Sequence, residues 1–166
     1  CSAGRNYHYM ACILSAAVCC NWWVEKILRD DYSAVLSQEN KLGENNVLFL
    51  PYLMGERSPL NDTDIRGMFY GLSLNTEKDE MTLAVLEGVA FSLRHNMEII
   101  RDLGVKTEKS TICGGGTKNK LWLKIIASIL NVELVIRKNQ DGGALGSALL
   151  GAKCVLSKED YAILES

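Results

Sequence analysis

Apolar residues recur at every fourth position from Met81 through Val85, Val89 and Leu93 to Met97. That spacing lays one stripe along a helix and predicts a long helix over 78–102, opened near Asn75 or Thr76 and stopped at Gly104. A second helical pattern runs from Met10 through Ile13, Leu14, Ala17, Val18 and Trp22 to Trp23, Ile27 and Leu28. It predicts a helix over 8–29, largely buried because it carries almost no charge before Glu25. From residue 118 the pattern is helical again, with Leu121, Ile125 and Ile129 on one stripe and Trp122, Ile126 and Leu130 on the next. Residues 142–152 are small and apolar and also predict a helix, in which Gly146 and Gly151 ask for close approach by another helix or a ligand. Short apolar runs at 47–53, 67–74, 111–113 and 132–136 predict strands, the first ending near Pro51. Residues 30–46 read as a shorter helix and a loop, residues 54–66 as a charged loop, and Ser157 as the N-cap of a short tail helix. Alternating helices and strands make an α/β chain, with few strands for its helices.

The chain has 166 residues, enough for one domain with a substantial core. Its net charge of −2 gives no electrostatic case for nucleic acid or an anionic membrane surface. No apolar run has the length of a membrane span. The first residues lack both an initiator Met and signal-peptide character, which suggests a fragment of a longer chain. None of the six cysteines forms a Cys-x-x-Cys pair, and with His8 and His95 the sole imidazoles, metal-ligand spacing is absent. Cys12, Cys19, Cys20, Cys113 and Cys154 sit among apolar neighbours and read as small buried hydrophobes, reduced thiols of a cytoplasmic protein.

Chemistry concentrates at Gly114, Gly115 and Gly116, between a short strand and a helix. Glycines let a ligand lie against the main chain, and a helix N-terminus offers free N–H groups and a favourable dipole end to a nucleotide. A tight turn without a ligand is the alternative. The spacing is neither that of a Walker A loop nor Gly-x-Gly-x-x-Gly.

Residues 67–88 resemble the C-terminal signature of the FGGY carbohydrate kinases. Gly67, Phe69, Gly71 and Leu72, then Glu80, Met81, Ala84, Val85, Leu86 and Glu87, all comply with it. The preceding Gly55, Glu56, Arg57, Ser58 and Pro59, followed by Asp64, Ile65, Arg66 and Gly67, resemble xylulokinases more than glycerol kinases. Gluconate kinases share much of that block. The glycine stretch is similar to the adenosine motif of the actin, Hsp70 and sugar-kinase superfamily, and the helix from Gly142 is similar to its second connecting helix. The resemblance runs from about residue 4 to about residue 156.

It implies an actin-like ATPase (ribonuclease H-like) fold, with residues 1–166 forming part of the second domain of a two-domain sugar kinase. The activity implied is ATP- and Mg²⁺-dependent phosphorylation of D-xylulose. The catalytic Asp, the phosphate-binding hairpin and most of the sugar site would lie in an N-terminal domain, so no catalytic or metal-binding residue is assigned within these residues. Gluconate, glycerol or ribulose as the acceptor stays open, as do a non-catalytic actin-like nucleotide-binding module and a homodimer. By the match, Gly114, Gly115 and Gly116 would lie against the adenosine, and Asn119 would hydrogen-bond the adenine, with helix capping as its alternative. Ala16, Ala17 and Val18 match positions near the ribose and phosphates. Ala17 is carried as a binding residue, and Val18 reads as core packing. Glu56, Arg57, Asp62, Asp64 and Arg66 read as a solvated or ion-paired loop, with Arg57 and Arg66 as braces and with cleft lining or contact to Mg²⁺ water as the alternative. Lys118 and Lys120 read as surface lysines that could sense phosphate. Trp22, Trp23 and Trp122 read as core, and His8 and His95 carry no catalytic role.

Overall fold

Helix α2 (Lys78–Asp102) is the longest element among the described residues, and the helices over 16–21 and 120–130 and the strand over 48–50 pack on it. The computed structural model describes residues 8–32, 43–136, 142–157 and 160. Along the chain come α1 (Ala16–Asn21), a π-helical turn (Trp22–Leu28), β1 (Leu48–Leu50), β2 (Met68–Tyr70), α2, β3 (Lys109–Ile112), a 3₁₀ turn (Gly115–Lys118), α3 (Lys120–Leu130), β4 (Glu133–Ile136) and α4 (Gly142–Val155). The described residues are therefore mixed helix and strand. The shorter helix expected within 30–46 falls mostly outside them, as does most of the tail.

Helix α2 begins and ends where its pattern places it. The Glu77 N–H donates to Glu80 Oε2 at 2.9 Å, closing a capping box one residue beyond the expected start. The Gly104 N–H donates to Arg101 O at 2.8 Å with Gly104 at φ 88°, which ends the helix. Val85 and Val89 are fully buried, and Met81, Leu93 and Met97 pack against the same core. Burial exceeds the stripe: Thr82, Leu83, Ala84, Leu86, Gly88 and Ala90 are covered as well. Close approach of β1 explains part of this. A methyl group at Gly88 would sit 2.2 Å from Phe49 O, so glycine alone lets the strand lie on the helix.

Strands β1 and β2 pair antiparallel, with Phe49 opposite Phe69. Those two rings lie 4.6 Å apart and face the core, while Leu48, Leu50, Met68 and Tyr70 face outward. Trp22 stacks on Phe49 at 6.1 Å, and Trp23 packs on Phe69 and donates from Nε1 to Thr82 Oγ1 at 2.9 Å. Trp122 donates from Nε1 to Leu86 O at 3.3 Å. The three tryptophans therefore serve packing, as their apolar neighbours imply. Strands β3 and β4 pair parallel, Lys109 opposite Glu133 through Ile112 opposite Ile136, with α3 as the crossover. Arg94 Nη1 and Arg101 Nη2 donate to Ile129 O at 3.1 Å and Leu130 O at 2.9 Å, tying the end of α3 to α2.

Several expectations are corrected. Residues 8–15 are not helical, because their polar groups bond elsewhere: Cys12 O accepts from Ser58 N–H and Leu14 N–H donates to Glu56 Oε1. Tertiary hydrogen bonds override a helical apolar spacing here. Val18 is 49% exposed rather than packed in the core. Cys19 and Cys20 are buried, but Cys113 and Cys154 are exposed and Cys12 is half-buried. Around Gly146 and Gly151 no described atom would lie within 4 Å of an added methyl group, so any close approach comes from outside the described residues.

Candidate functional site

The turn after β3 is built of backbone. Gly114 stands at φ 94°, a conformation L side chains rarely adopt, and breaks the strand. The 3₁₀ turn follows, with Asn119 N–H donating to Gly116 O at 3.2 Å. Asn119 then caps α3: the Trp122 N–H donates to its Oδ1 at 3.1 Å. The helix thus starts two residues later than its apolar stripe suggests. The other half of the Asn119 amide, Nδ2, is buried and has no hydrogen-bond partner among the described residues. A buried unpaired donor is costly and asks for an acceptor.

A cleft of about 730 Å³ opens over this turn. Gly115, Gly116, Lys118, Asn119, Lys120, Leu121 and Trp122 line one side, and Ala17, Cys20, Asn21, Glu25 and Tyr32 the other, with Leu86 of α2 among the lining residues. Among the sequence-assigned residues, Gly115, Gly116, Asn119 and Ala17 therefore come together. Gly114 shapes the turn from just outside the lining. Ala16 packs against the core instead. Gly115 and Gly116 differ in what surrounds them. A methyl group at Gly115 would meet nothing within 4 Å, whereas one at Gly116 would sit 2.8 Å from the Trp122 ring. Lys118 and Lys120 are exposed yet border the cleft. The sequence reading missed Asn21, Glu25 and Tyr32. Tyr32 donates its hydroxyl to Asn21 Oδ1 across the end of the π-helical turn. No pattern in the sequence announces such a turn, although π-helical turns recur at functional sites.

The charged loop at 54–66 is more ordered than a solvated reading allows. Glu56 is 1% exposed, and its Oε1 accepts from the Arg57 N–H at 2.7 Å and the Leu14 N–H at 3.2 Å. Glu56 and Asp62 exchange backbone hydrogen bonds at 2.7 and 2.9 Å. Asp62 Oδ1 accepts from the Asp64 N–H at 2.8 Å, and Arg66 Nη1 donates to Thr63 O and Ile65 O at 2.7 Å each. Arg66 is thus a brace, as expected, while Glu56 is a buried anchor. Burial pushes the Cys19 thiol up to about 12, the nearby Glu56 carboxylate adding to it, and pushes the Cys20 thiol up to about 12. Both thiols stay protonated and unreactive at neutral pH.

A smaller hollow of about 400 Å³ lies between β1 and α2, bordered by Leu48, Leu50, Glu87, Phe91 and His95. Half-burial raises the Glu87 carboxyl above its ordinary value, against a 3.4 Å hydrogen bond from Asn45 Nδ2. Among the described residues no three His, Cys, Asp or Glu side chains gather as a metal site, and no helix is long and apolar enough to cross a membrane.

Residues 7–154 match the family described as the FGGY family of carbohydrate kinases, C-terminal domain. A xylulose kinase of Staphylococcus epidermidis is 36% identical over 154 residues, covering 91% of this chain and 31% of that protein. The crystal structure of a ligand-bound xylulose kinase from Lactobacillus acidophilus superposes with a TM-score of 0.81 at 29% identity, covering 92% of this chain and 32% of that one. A Plasmodium falciparum glycerol kinase with ADP superposes with a TM-score of 0.75, also at 29% identity, covering 92% of this chain and 31% of that one. The chain therefore spans about a third of the length of these relatives.

Proposed function

Since the chain belongs to the FGGY family of carbohydrate kinases and has the actin-like ATPase fold of their C-terminal domain, we propose that its cleft holds the adenosine of ATP in a kinase acting on D-xylulose. The observation that carries the nucleotide reading is the glycine turn running into the capped N-terminus of α3 beneath an open cleft. Gly115 leaves room for a base or ribose against the main chain. Asn119 has its Oδ1 committed to the cap and its Nδ2 covered and unpaired among the described residues, a donor that a small shift of the turn would aim at a ring acceptor of the base. Ala17 closes the opposite wall without bulk. Lys118 and Lys120 add positive charge at the rim that suits the polyphosphate.

The work assigned to these residues is positioning. Residues 1–166 are read as one domain that closes against an N-terminal kinase domain, which supplies the catalytic Asp and most of the sugar site. Closure would exclude water, so that the sugar hydroxyl rather than water receives the phosphoryl group. Mg²⁺ is read as held by the ATP phosphates and the rest of the kinase, since such ions keep few protein ligands. A cytoplasmic enzyme fits this reading.

Support for D-xylulose comes from the similarity to xylulose kinases and from the Gly55 to Pro59 block. The test is phosphoryl transfer by the intact protein with D-xylulose, gluconate, glycerol and ribulose in parallel. The expected result is the highest kcat/KM with D-xylulose. A higher value with any other acceptor overturns the sugar assignment and leaves the nucleotide cleft standing, while no ATP consumption with any acceptor overturns the kinase reading.

A further inference from the structure

Helix α1 is one wall of the cleft, yet its placement depends on a segment that never reaches the cleft. Ala17, Cys20 and Asn21 line the cleft. Ser15 and Cys19, on the far side of the same turns, are fully buried. Four hydrogen bonds fasten this stretch to residues 51–58. The Ser58 N–H donates to Cys12 O at 3.0 Å, the Leu14 N–H to Glu56 Oε1 at 3.2 Å, the Met54 N–H to Ser15 Oγ at 3.1 Å, and Cys19 Sγ to Pro51 O at 3.2 Å.

Glu56 stands at the middle of this seam. Its Oε1 accepts from the N–H of Leu14 and of Arg57, so a single oxygen joins the lead-in of α1 to the 54–66 loop across 42 positions of sequence. Its Oε2 is buried with no hydrogen-bond partner among the described residues. A carboxylate buried this way is costly and makes no ion pair among the described residues, so charge attraction there does not account for it. The acceptor at Oε1 is what it contributes: no apolar side chain of the same size would satisfy the Leu14 N–H. That N–H precedes α1, and holding it fixes the entry of the helix.

We propose that Glu56 is a positioning residue of the nucleotide cleft, whose Oε1 sets the stance of α1 and so of Ala17, Cys20 and Asn21. The proposal rests on the reading of the cleft as an adenosine site. Its test uses the intact kinase with Glu56→Gln, which keeps the acceptor, and Glu56→Met, which keeps the bulk and removes it. ADP binding is read by calorimetry, and KM for the sugar is read beside it. Glu56→Met should weaken ADP by about tenfold or more with the sugar KM little changed, and Glu56→Gln should stay within about threefold of the parent. ADP affinity unchanged in Glu56→Met overturns the proposal. So does equal loss in both variants, which would assign the effect to charge. Should Glu56→Met not fold, Ser15→Ala removes the neighbouring link alone and should weaken ADP by about threefold, and unchanged affinity there overturns the proposal. Parent enzyme that binds no ADP would instead remove the adenosine reading itself.

Discussion

Helices α2 and α4 both carry glycine inside the helix, and the one glycine of α2 and the glycines of α4 have opposite surroundings. Gly88 of α2 lies under a strand, so close that an added methyl group would sit 2.2 Å from Phe49 O. Gly146 and Gly151 of α4 face open space among the described residues, and Leu150 and Val155 beside them are 54% and 83% exposed. The comparison teaches that a helical glycine marks a close approach only when its partner is known. In α2 the partner is β1 of the same chain. In α4 it is read as another helix of the intact kinase.

The sharpest way to break this comparison is Gly88→Ala. The clash is with a backbone carbonyl, which cannot swing away, so the loss should be about 3 kcal/mol or more in urea unfolding. A loss under about 1 kcal/mol would show that β1 and α2 part easily. Next is Trp23→Phe, which removes the Nε1 hydrogen bond to Thr82 beneath α2 and should cost about 1–2 kcal/mol by the same measurement. Gly146→Ala should act in the other direction. With nothing near to clash, it should raise the stability of this chain by up to about 1 kcal/mol, whereas lowered stability of the intact kinase would mark a covered face.

The smallest effect concerns Glu87, on the face of α2 that borders the second hollow. Its folded value is raised by burial above 4.5, so the folded state disfavours the ionised form. Stability from this group is therefore lost as pH rises through its folded value and recovered below its unfolded one. Glu87→Gln should be more stable than the parent at neutral pH, the gap closing as pH falls below about 4.5. A gap that widens on acidification would reverse the sign of the shift.

Much of the fold was legible because periodicity reports burial. The α2 stripe and its stop at Gly104 stand where the apolar spacing puts them, and the strand–turn–helix order around Gly114 is as expected, with β3 starting two residues earlier and α3 two residues later than the spacing suggests. Residues 8–15 were misread because the same spacing suits an irregular segment, here one with an N–H and a C=O claimed by residues 56 and 58, information no local window holds. Glu56 was misread for the same reason: in sequence it is one charge among many, and only the chain's return to Leu14 buries it. In the cleft, the glycines and Asn119 were legible by motif. Asn21, Glu25 and Tyr32 were not, since a π-helical turn leaves no mark in the spacing.

The most direct test of the account is ATP calorimetry on the intact kinase and its Gly115→Val variant. Gly115 lies outside the left-handed region and an added methyl group would meet nothing within 4 Å among the described residues, so valine should leave thermal unfolding unchanged and fill the cleft. The account predicts ATP affinity reduced by more than about tenfold. Valine that folds and binds ATP as the parent does would contradict the placement of adenosine on the glycine turn.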